Sequence, residues 1–509
     1  MELIKDKINT CKTLTKGTTQ AMADGDVIVP DTKPDILKLL QVDSDACITD
    51  KYIENDRLVL CGRVHYKVLY IPDGENEKIK CIHTSMEYRQ VVDARNADGN
   101  IKILAKPTVE KVEFNTVNSR KLRLRAIIHI DYEVCSVDDT EVTCGVEDES
   151  IEKKLAVVCF ENTVNVSEHD FTVKEKLEIP TGESSVKEVL KNDIKICDTE
   201  YKPVTGKVII KGMVDICVLY INDEDEIHFI EAECPFTEVL DAEGVTEASV
   251  CDIDYSVIET QCIAEPDIDG DLRELNLDID ICTALKATES VETQILKDCF
   301  VPYSKTECIK NDIRMQTTVE RPSLQNTLRD TIEIPQNAPS IKSVYNIMTN
   351  AVITKSEQQR NKIICEGKVE AYILYLTNTP ESPVHSLKKE IPFSYMIESK
   401  NETEDKKCEM KCSVKHASYN LNSGGEIEVR CLLSIECMLI DELTIGNITE
   451  IRTEQSGNRQ GIVIYFARSG ESLWDIAKLY GMPRRKLAEY NDITDDVITD
   501  ERKLFIPMC

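Results

Sequence analysis

The residues best suited to chemistry form a short acidic run in the middle of the chain. In Asp267-Ile-Asp-Gly-Asp271 every second residue is a carboxylate, a spacing at which calcium can be bound. The EF-hand pattern requires glycine at its sixth position, but that position is Leu272 here. The run also aligns with turns elsewhere in the chain, so we expect a plain turn and no metal site.

The sequence carries no recognisable catalytic motif. It has no Gly-x-x-x-x-Gly-Lys-Ser/Thr loop, no His-Glu-x-x-His and no Gly-x-Ser-x-Gly. The histidines do not recur at matching positions of the three repeats described below, whereas a triplicated enzyme would be expected to repeat its acid, base or nucleophile. The alternative is an enzyme in which some of the repeats have lost their catalytic residues. We predict a non-enzymatic protein that needs no cofactor.

The composition narrows the class of partner. The 509 residues include 92 Asp+Glu and 61 Lys+Arg, a formal net charge of -31. Nucleic acid requires a concentrated basic surface, and anionic lipid repels an acidic protein, so neither is an expected partner. Residues 175–290 hold 29 acidic and 9 basic side chains, whereas residues 461–509 hold 8 and 7. We interpret the middle charge as a solubilising surface; a site for a basic partner is the alternative.

The cysteines indicate a reducing compartment. All 21 are scattered between Cys11 and Cys509 without a Cys-x-x-Cys pair. The first residues contain no apolar signal region, and no segment approaches the ~18 apolar residues of a membrane helix. We expect a cytosolic protein without membrane insertion, whose thiols act as small buried apolar groups.

Three copies of one unit occupy most of the chain. The stretch Val59–Tyr70 recurs as Ile209–Tyr220 and Ile364–Tyr375. A second landmark keeps the same spacing, at Val29-Pro30, Ile179-Pro180 and Ile334-Pro335. Two separate landmarks in one register indicate a true repeat.

The patterns within a copy predict strands and one short helix. Val64, Tyr66, Val68 and Tyr70 alternate with other residues, as in a half-buried strand. After the proline, an i, i+3, i+4 pattern predicts about two helical turns. Its residues are Ile36, Leu39 and Leu40, then Val186, Val189 and Leu190, then Ile341, Val344 and Tyr345. Turn residues at 118–119, 269–271 and 422–425 join two further strands.

The expected fold is mainly β, with three tandem sandwich-like repeats, each with a short helix, and a small C-terminal module. We place the repeats at residues 1–150, 151–305 and 306–445, a linker at 446–461 and the module at 462–509. Residues 453–461 contain no apolar side chain, which predicts a flexible tether.

The C-terminal module has a βααβ pattern. Ile462–Phe466 predicts a strand, and Leu504–Ile506 predicts a closing strand. Between them, a helix with apolar residues at i, i+3, i+4 and i+7 ends at Gly481, and a second begins at Pro483 and runs to Asn491.

This module resembles a LysM domain. The likeness lies in Gly470-Glu-Ser-Leu-Trp474, the Ile-Ala-x-x-Tyr-Gly481 helix end, Asn491 and the terminal Ile506-Pro507. Such domains bind N-acetylglucosamine polymers in a groove between two loops, which correspond here to residues 469–473 and 491–497. The resemblance implies a partner-binding groove and face formed by Ile462, Ser469, Gly470, Glu471, Ser472, Leu473, Trp474, Arg484, Arg485 and Asn491.

Two of its features have two interpretations each. Trp474, the single tryptophan, lies just outside the apolar stripe of its helix. It either packs against the strand Ile462–Phe466 or is an exposed anchor for a partner. The run Arg484-Arg-Lys486 is interpreted as a solvated helix face, with orientation of an acidic partner as the alternative.

Three β repeats followed by such a module resemble the SPOCS-domain plus LysM proteins of anaerobic spore formers, which act in spore coat morphogenesis. In that family the LysM module binds the basement-layer ATPase of the coat, stage IV sporulation protein A, in the mother-cell cytosol at the forespore surface. The resemblance implies a scaffold that attaches the coat basement layer to the forespore and remains in the coat; other coat proteins are further candidate partners. A protein that binds peptidoglycan in the cell wall or spore cortex is the alternative.

Overall fold

The protein is described by a computed structural model covering residues 2–74, 79–95, 97, 99–180, 182–335, 338–379, 382–422, 426–455 and 461–508. Across these ranges none of the helices combines the length and the apolar character that crossing a bilayer requires.

Nearly all regular structure in these ranges is antiparallel strand. In chain order the elements are β1 (Leu3–Ile28), β2 (Ile36–Glu54), β3 (Arg57–Pro72), β4 (Lys80–Asp93), β5 (Ile101–Asn118), β6 (Lys121–Val146), β7 (Glu152–Glu178), β8 (Val186–Val204), β9 (Lys207–Asn222), β10 (Ile227–Asp241), β11 (Val250–Pro266), β12 (Leu272–Phe300), β13 (Ser304–Glu320), β14 (Ser323–Ile332), β15 (Ile341–Gln359), β16 (Lys362–Thr377), β17 (Val384–Glu398), β18 (Lys407–Leu421), β19 (Ile427–Gln455), β20 (Gly461–Ala467), α1 (Leu473–Tyr480), α2 (Arg484–Asn491) and β21 (Arg502–Met508).

Each repeat is a sandwich of two sheets, as predicted. In the first, the sheet β2-β3-β4 packs on the sheet β1-β6-β5 around one apolar core. The second places β8-β9-β10 on β11-β12-β7, and the third places β15-β16-β17 on a sheet centred on β19. There β13 and β14 together replace one long strand, because Pro322 lies between them and cannot donate to a ladder.

The repeated stretch is confirmed as the central strand of a sheet in each copy. Val64, Tyr66, Val68 and Tyr70 of β3 are all buried. The Tyr70 hydroxyl donates to the Pro34 carbonyl over 3.1 Å, and Tyr375 bonds the Pro339 carbonyl over 3.0 Å. In these two copies, the tyrosine that ends the repeated stretch therefore holds the loop after Pro30 or Pro335 by a hydrogen bond.

The short helix predicted after each proline is wrong. Residues 36–40, 186–190 and 341–345 begin the strands β2, β8 and β15. In β2 the pairing shifts between Ile36 and Lys38 and again between Leu39 and Gln41. Each bulge adds a residue, so side chains facing one core recur every third residue, a spacing that mimics a helix. The other copies bulge at the matching positions.

The glycine of the motif permits a close approach within the sheet. A Cβ on Gly212 would lie 2.5 Å from the Phe236 ring, and Gly62 and Gly367 meet Tyr88 and Phe393 in the same way. In each copy the neighbouring strand bulges beside this glycine. An aromatic side chain thus covers the gap that the glycine leaves.

The three sandwiches are arranged around an approximate threefold axis. Leu69, Leu219 and Leu374 occupy matching positions and meet in one buried group, the central cluster. Its buried members are Leu69, Ile79, Cys81, Leu190, Cys217, Leu219, Ile221, Tyr345, Leu374, Leu376 and Val384. Elsewhere Asp254 joins Lys106 at 3.3 Å and Lys411 at 3.0 Å, one residue from each copy. These three residues lie on β5, β11 and β18, which occupy equivalent places in the sheets of the three copies.

The outer halves of the pairs β1–β6, β7–β12 and β13–β19 continue beyond the sandwiches and pack together, forming a stalk. Its core takes Ile8 and Val142, Phe160 and Ile295, and Met315 and Ile445, two residues from each copy. The linker predicted at 446–461 is wrong for residues 446–455, which form the end of β19 in the stalk. The backbone groups of these residues are hydrogen-bonded to β13, and a count of apolar residues could not predict this pairing. Residues 456–460 lie outside the described ranges.

Candidate functional site

The C-terminal module folds as the predicted βααβ unit. β20 pairs with β21, and the two helices pack on one face of this small sheet. α1 ends where Gly481 adopts a left-handed conformation with φ of 63° and donates to the carbonyls of Ala477 and Lys478. α2 ends in the same way at Asp492, with φ of 51°.

The two loops predicted to form a groove are hydrogen-bonded to each other. Gly470 N–H donates to Ile498 O over 2.8 Å, and Ile498 N–H donates to Glu471 O over 2.9 Å. Leu473 N–H bonds Asp496 O at 2.8 Å, and the Ser469 hydroxyl bonds Thr499 O at 2.7 Å. These backbone groups are already partnered within the module, so they are not free to bind the N-acetyl group of a sugar.

Several predicted site residues have structural roles. Leu473 is in the core of the module, and buried Asn491 joins the end of α2 to β21 through bonds to Leu487 O and Phe505. Glu471 accepts from the Tyr465 hydroxyl at 3.2 Å. The structure brings Ser469, Gly470, Glu471, Ser472 and Leu473 to the loop contact, with the Ser472 backbone bridged to Val497.

The predicted basic residues lie on the helix surface. Arg484 pairs with Asp496, and exposed Arg485 pairs with Glu489 at 2.9 Å, one turn further along α2. Both pairs stay within the module, whereas Lys486 of the same basic run donates to the Tyr303 hydroxyl at 3.3 Å, outside the module.

Trp474 is buried, at 4% exposure, and packs against the stalk. Its indole N–H donates to Asp298 Oδ2 over 3.0 Å, and its ring meets Phe300 edge-on with centroids 5.1 Å apart. Sequence reasoning expected packing against β20 or exposure. Trp474 is not exposed: it belongs to the core that contains Ala467 of β20, and it also contacts the last residues of β12. The partner was not predictable because it lies 176 positions away in the chain.

The contact of Trp474 belongs to a larger joint between the module and the stalk. Lys478 pairs with Asp298 at 2.5 Å, and Tyr303 N–H donates to Gly481 O at 2.6 Å. Burial raises the pKa of Asp298, but the bonds from Lys478 and Trp474 outweigh it and hold the pKa below its ordinary value. The module is therefore docked on the body of the protein.

The opposite face of the module is open and apolar. Ile462 is 69% exposed, Ile464 52%, Phe466 67% and Phe505 51%. In the register of the sheet Ile464 lies opposite Phe505, and Lys503 lies opposite Phe466 with its ammonium 5.5 Å from the ring centroid. We call Ile462, Ile464, Phe466 and Phe505 the apolar sheet face.

Sequence reasoning identified only Ile462 of this face. β20 reads Ile-Val-Ile-Tyr-Phe, apolar at every position, so alternation could not show which side is inward. The uniform apolar sequence of β20 was itself the available signal. Helices cover only one face of this two-stranded sheet, so core packing does not explain apolar side chains on the other face.

Other candidate sites have structural explanations. Asp267 Oδ1 accepts from the backbone N–H groups of Asp269 at 2.9 Å and Asp271 at 3.0 Å, as in a turn. A cavity of 3440 Å³ lies between the three sandwiches. Charged residues on its wall pair across the repeats, as Glu133 does with Lys286 at 3.1 Å.

Comparison with known families agrees with the repeats and the module. A family model described as the SipL, SPOCS domain matches residues 35–117, 185–265 and 340–422, and the LysM domain model matches residues 467–507. Searches of curated proteins and of solved structures gave no match. These two domain types indicate a sporulation-related protein with a module of the peptidoglycan-binding type. The chain therefore contains three SPOCS-domain regions in tandem, followed by a LysM domain.

Proposed function

We propose that the protein is a non-enzymatic scaffold of spore coat assembly that attaches the coat basement layer to the forespore surface by protein binding through its LysM domain. The apolar sheet face carries this proposal. Four large apolar side chains, each more than half exposed, form one face of a two-stranded sheet. Exposed apolar patches on soluble proteins mark surfaces that bind other proteins.

The joint with the stalk supports the same function. Trp474, Lys478 and Gly481 face the body, so the apolar sheet face points away from these contacts. A docked module loses less orientational freedom on binding than a tethered one, which favours affinity. Many copies facing one assembled layer would then hold the layer by multivalent contact.

The partner class follows from the resemblance of the whole chain. We propose that the apolar sheet face binds stage IV sporulation protein A in the mother-cell cytosol, and that the protein later remains in the coat. Other coat proteins are further candidate partners of the SPOCS repeats.

Peptidoglycan is the second candidate ligand, because the LysM domain type suggests carbohydrate binding. The hydrogen bonds Gly470–Ile498 and Leu473–Asp496 occupy backbone groups of both loops, so a sugar would have to use other groups of the groove.

The test is capture of purified stage IV sporulation protein A by the full chain carrying Ile464→Glu. A buried charge in a central contact should reduce capture by about tenfold or more. Leu479→Glu is the matched control, since Leu479 is 69% exposed on α1, away from the sheet, and its change should leave capture within about twofold. Capture that is insensitive to Ile464→Glu, or sedimentation with peptidoglycan without capture, would overturn the proposal.

The location of the protein in the cell tests the proposed attachment to the forespore surface. A fluorescent fusion should surround the forespore during sporulation. A uniform signal in the wall of vegetative cells would favour the peptidoglycan-binding alternative.

A further inference from the structure

Two thiols face each other at the tip of the stalk. Cys299 lies one residue before the end of β12, and Cys308 lies on β13, which belongs to the third repeat. Their Sγ atoms are 3.5 Å apart, and the Cys308 thiol donates to the Cys299 carbonyl over 3.4 Å. Cys299 is fully buried and Cys308 is half-buried, so the second thiol is within reach of solvent.

The other two copies do not repeat this pair. The strand registers place Val146 and Ile451 at the positions that match Cys299, and Leu3 and Lys153 at the positions that match Cys308. Val146, Ile451 and Leu3 belong to the same apolar group as the two cysteines. Aliphatic side chains therefore suffice for packing here, and packing does not explain two thiols at one junction.

The electrostatics favour reaction at Cys308. A hydrogen bond from Cys299 lowers the pKa of Cys308 to about 7, whereas the same bond and burial raise the pKa of Cys299. Lys478 of the docked LysM domain also favours the Cys308 thiolate, and Asp298 opposes it. The thiolate is the reactive form of cysteine, so Cys308 is the attacking group and Cys299 the resolving one.

We propose that Cys299 and Cys308 form an oxidation site that closes to a disulfide on exposure to hydrogen peroxide. The Cys308 thiolate attacks one peroxide oxygen, the O–O bond breaks, and hydroxide leaves to give a sulfenic acid. The Cys299 sulfur then attacks the Cys308 sulfur, the S–O bond breaks, and this second hydroxide takes the Cys299 proton and leaves as water. Two thiols are oxidised and the peroxide is reduced to two waters, one of them formed when the first hydroxide takes a solvent proton.

The geometry requires little movement for this step. A disulfide has its sulfurs about 2.05 Å apart, so the two sulfurs must approach by about 1.5 Å from their present separation of 3.5 Å. The bond would close the turn that carries Phe300 and Tyr303, which both contact the LysM domain. Oxidation would thereby fix the surface on which the module docks.

The test is peptide mapping of the full chain after treatment with hydrogen peroxide and alkylation of the remaining thiols. Trypsin cuts after Lys305, between the two cysteines, so the disulfide should link peptides 298–305 and 306–310 with a loss of two hydrogens. The link should form about ten times faster than oxidation of Cys159, an exposed thiol, because the reacting group is a thiolate.

Two variants separate the site from general oxidation. Cys159→Ser should leave the link unchanged. Cys299→Ser keeps a hydroxyl that can donate to the Cys308 thiolate but cannot form a disulfide, so it should trap Cys308 as a sulfenic acid that dimedone labels. The proposal fails if both cysteines are recovered alkylated after oxidation of Cys159, or if dimedone does not label Cys308 in Cys299→Ser.

Discussion

At the scale of single residues, Trp474 shows that the fold of a module can be predicted from its sequence while its contacts with other domains cannot. Its helix and its place beside the apolar stripe follow from local spacing. Its partners Asp298 and Phe300 belong to another domain. Local patterns report which residues are apolar, whereas a contact between domains depends on surfaces that no pattern within one domain encodes.

Replacing Asp298 tests the joint at this scale. Asp298→Ala removes the acceptor of the Trp474 N–H and the partner of Lys478, a loss of about 1.5–3 kcal/mol for bonds to a charged group. We expect the module to separate from the stalk while its own core stays folded. Trp474 is the single tryptophan, so its fluorescence should shift to the red and become accessible to a soluble quencher.

Asp475→Ala is the control for this prediction, since Asp475 is exposed on the same helix. It should leave the emission unchanged. Identical emission from Asp298→Ala and the unaltered protein would show that the joint does not depend on Asp298.

At the scale of elements, the strands were predictable and their irregularities were not. Period-two alternation identified β3, β9 and β16, because one face of each lies in a sandwich core. The start of β2 was misread as helix, since two bulges three residues apart change the period. Leu40, Leu190 and Tyr345 consequently face the central cluster, opposite to the sandwich core.

The glycine of the repeat motif gives a prediction for one element. In Gly212→Ala the new methyl group would overlap the Phe236 ring of β10, so the ring or the strand must move. Such overpacking costs about 1–3 kcal/mol, and the midpoint of denaturant unfolding should fall accordingly. Gly182→Ala is the control, because a Cβ there meets no atom within 4 Å. Equal midpoints for the two variants would contradict a packing role for the motif glycine.

At the scale of the whole molecule, the repeats were predictable from sequence and their arrangement was not. The spacing of the repeated motifs identifies three units, but it carries no information about which surfaces of the units contact one another. The meeting surfaces are polar as well as apolar: Lys191 of the second copy is fully buried and pairs with Asp43 of the first and with Asp193 at 3.2 Å. Burial lowers the pKa of Lys191, but the two carboxylates outweigh it and raise the pKa above its ordinary value.

Lys191→Met tests this contact between copies. The change leaves Asp43 and Asp193 without their cation, and breaking a buried pair costs about 3–5 kcal/mol. The thermal midpoint should fall, and proteolysis should cut between the repeats. Lys187→Met is the matched control, because Lys187 lies on the same strand in an exposed pair with Asp225, worth about 0–1 kcal/mol. Equal stability of the two variants would mean that the buried pair does not hold the copies together.

The residues at this axis also bear on the history of the gene. Gln41, Lys191 and Asn346 hold one position in the three copies and have diverged to fit one another. Recombination that overwrote the second copy with either neighbour would remove Lys191 and leave Asp43 buried without a cation. The three copies are therefore not interchangeable, because each supplies a different side chain to this contact.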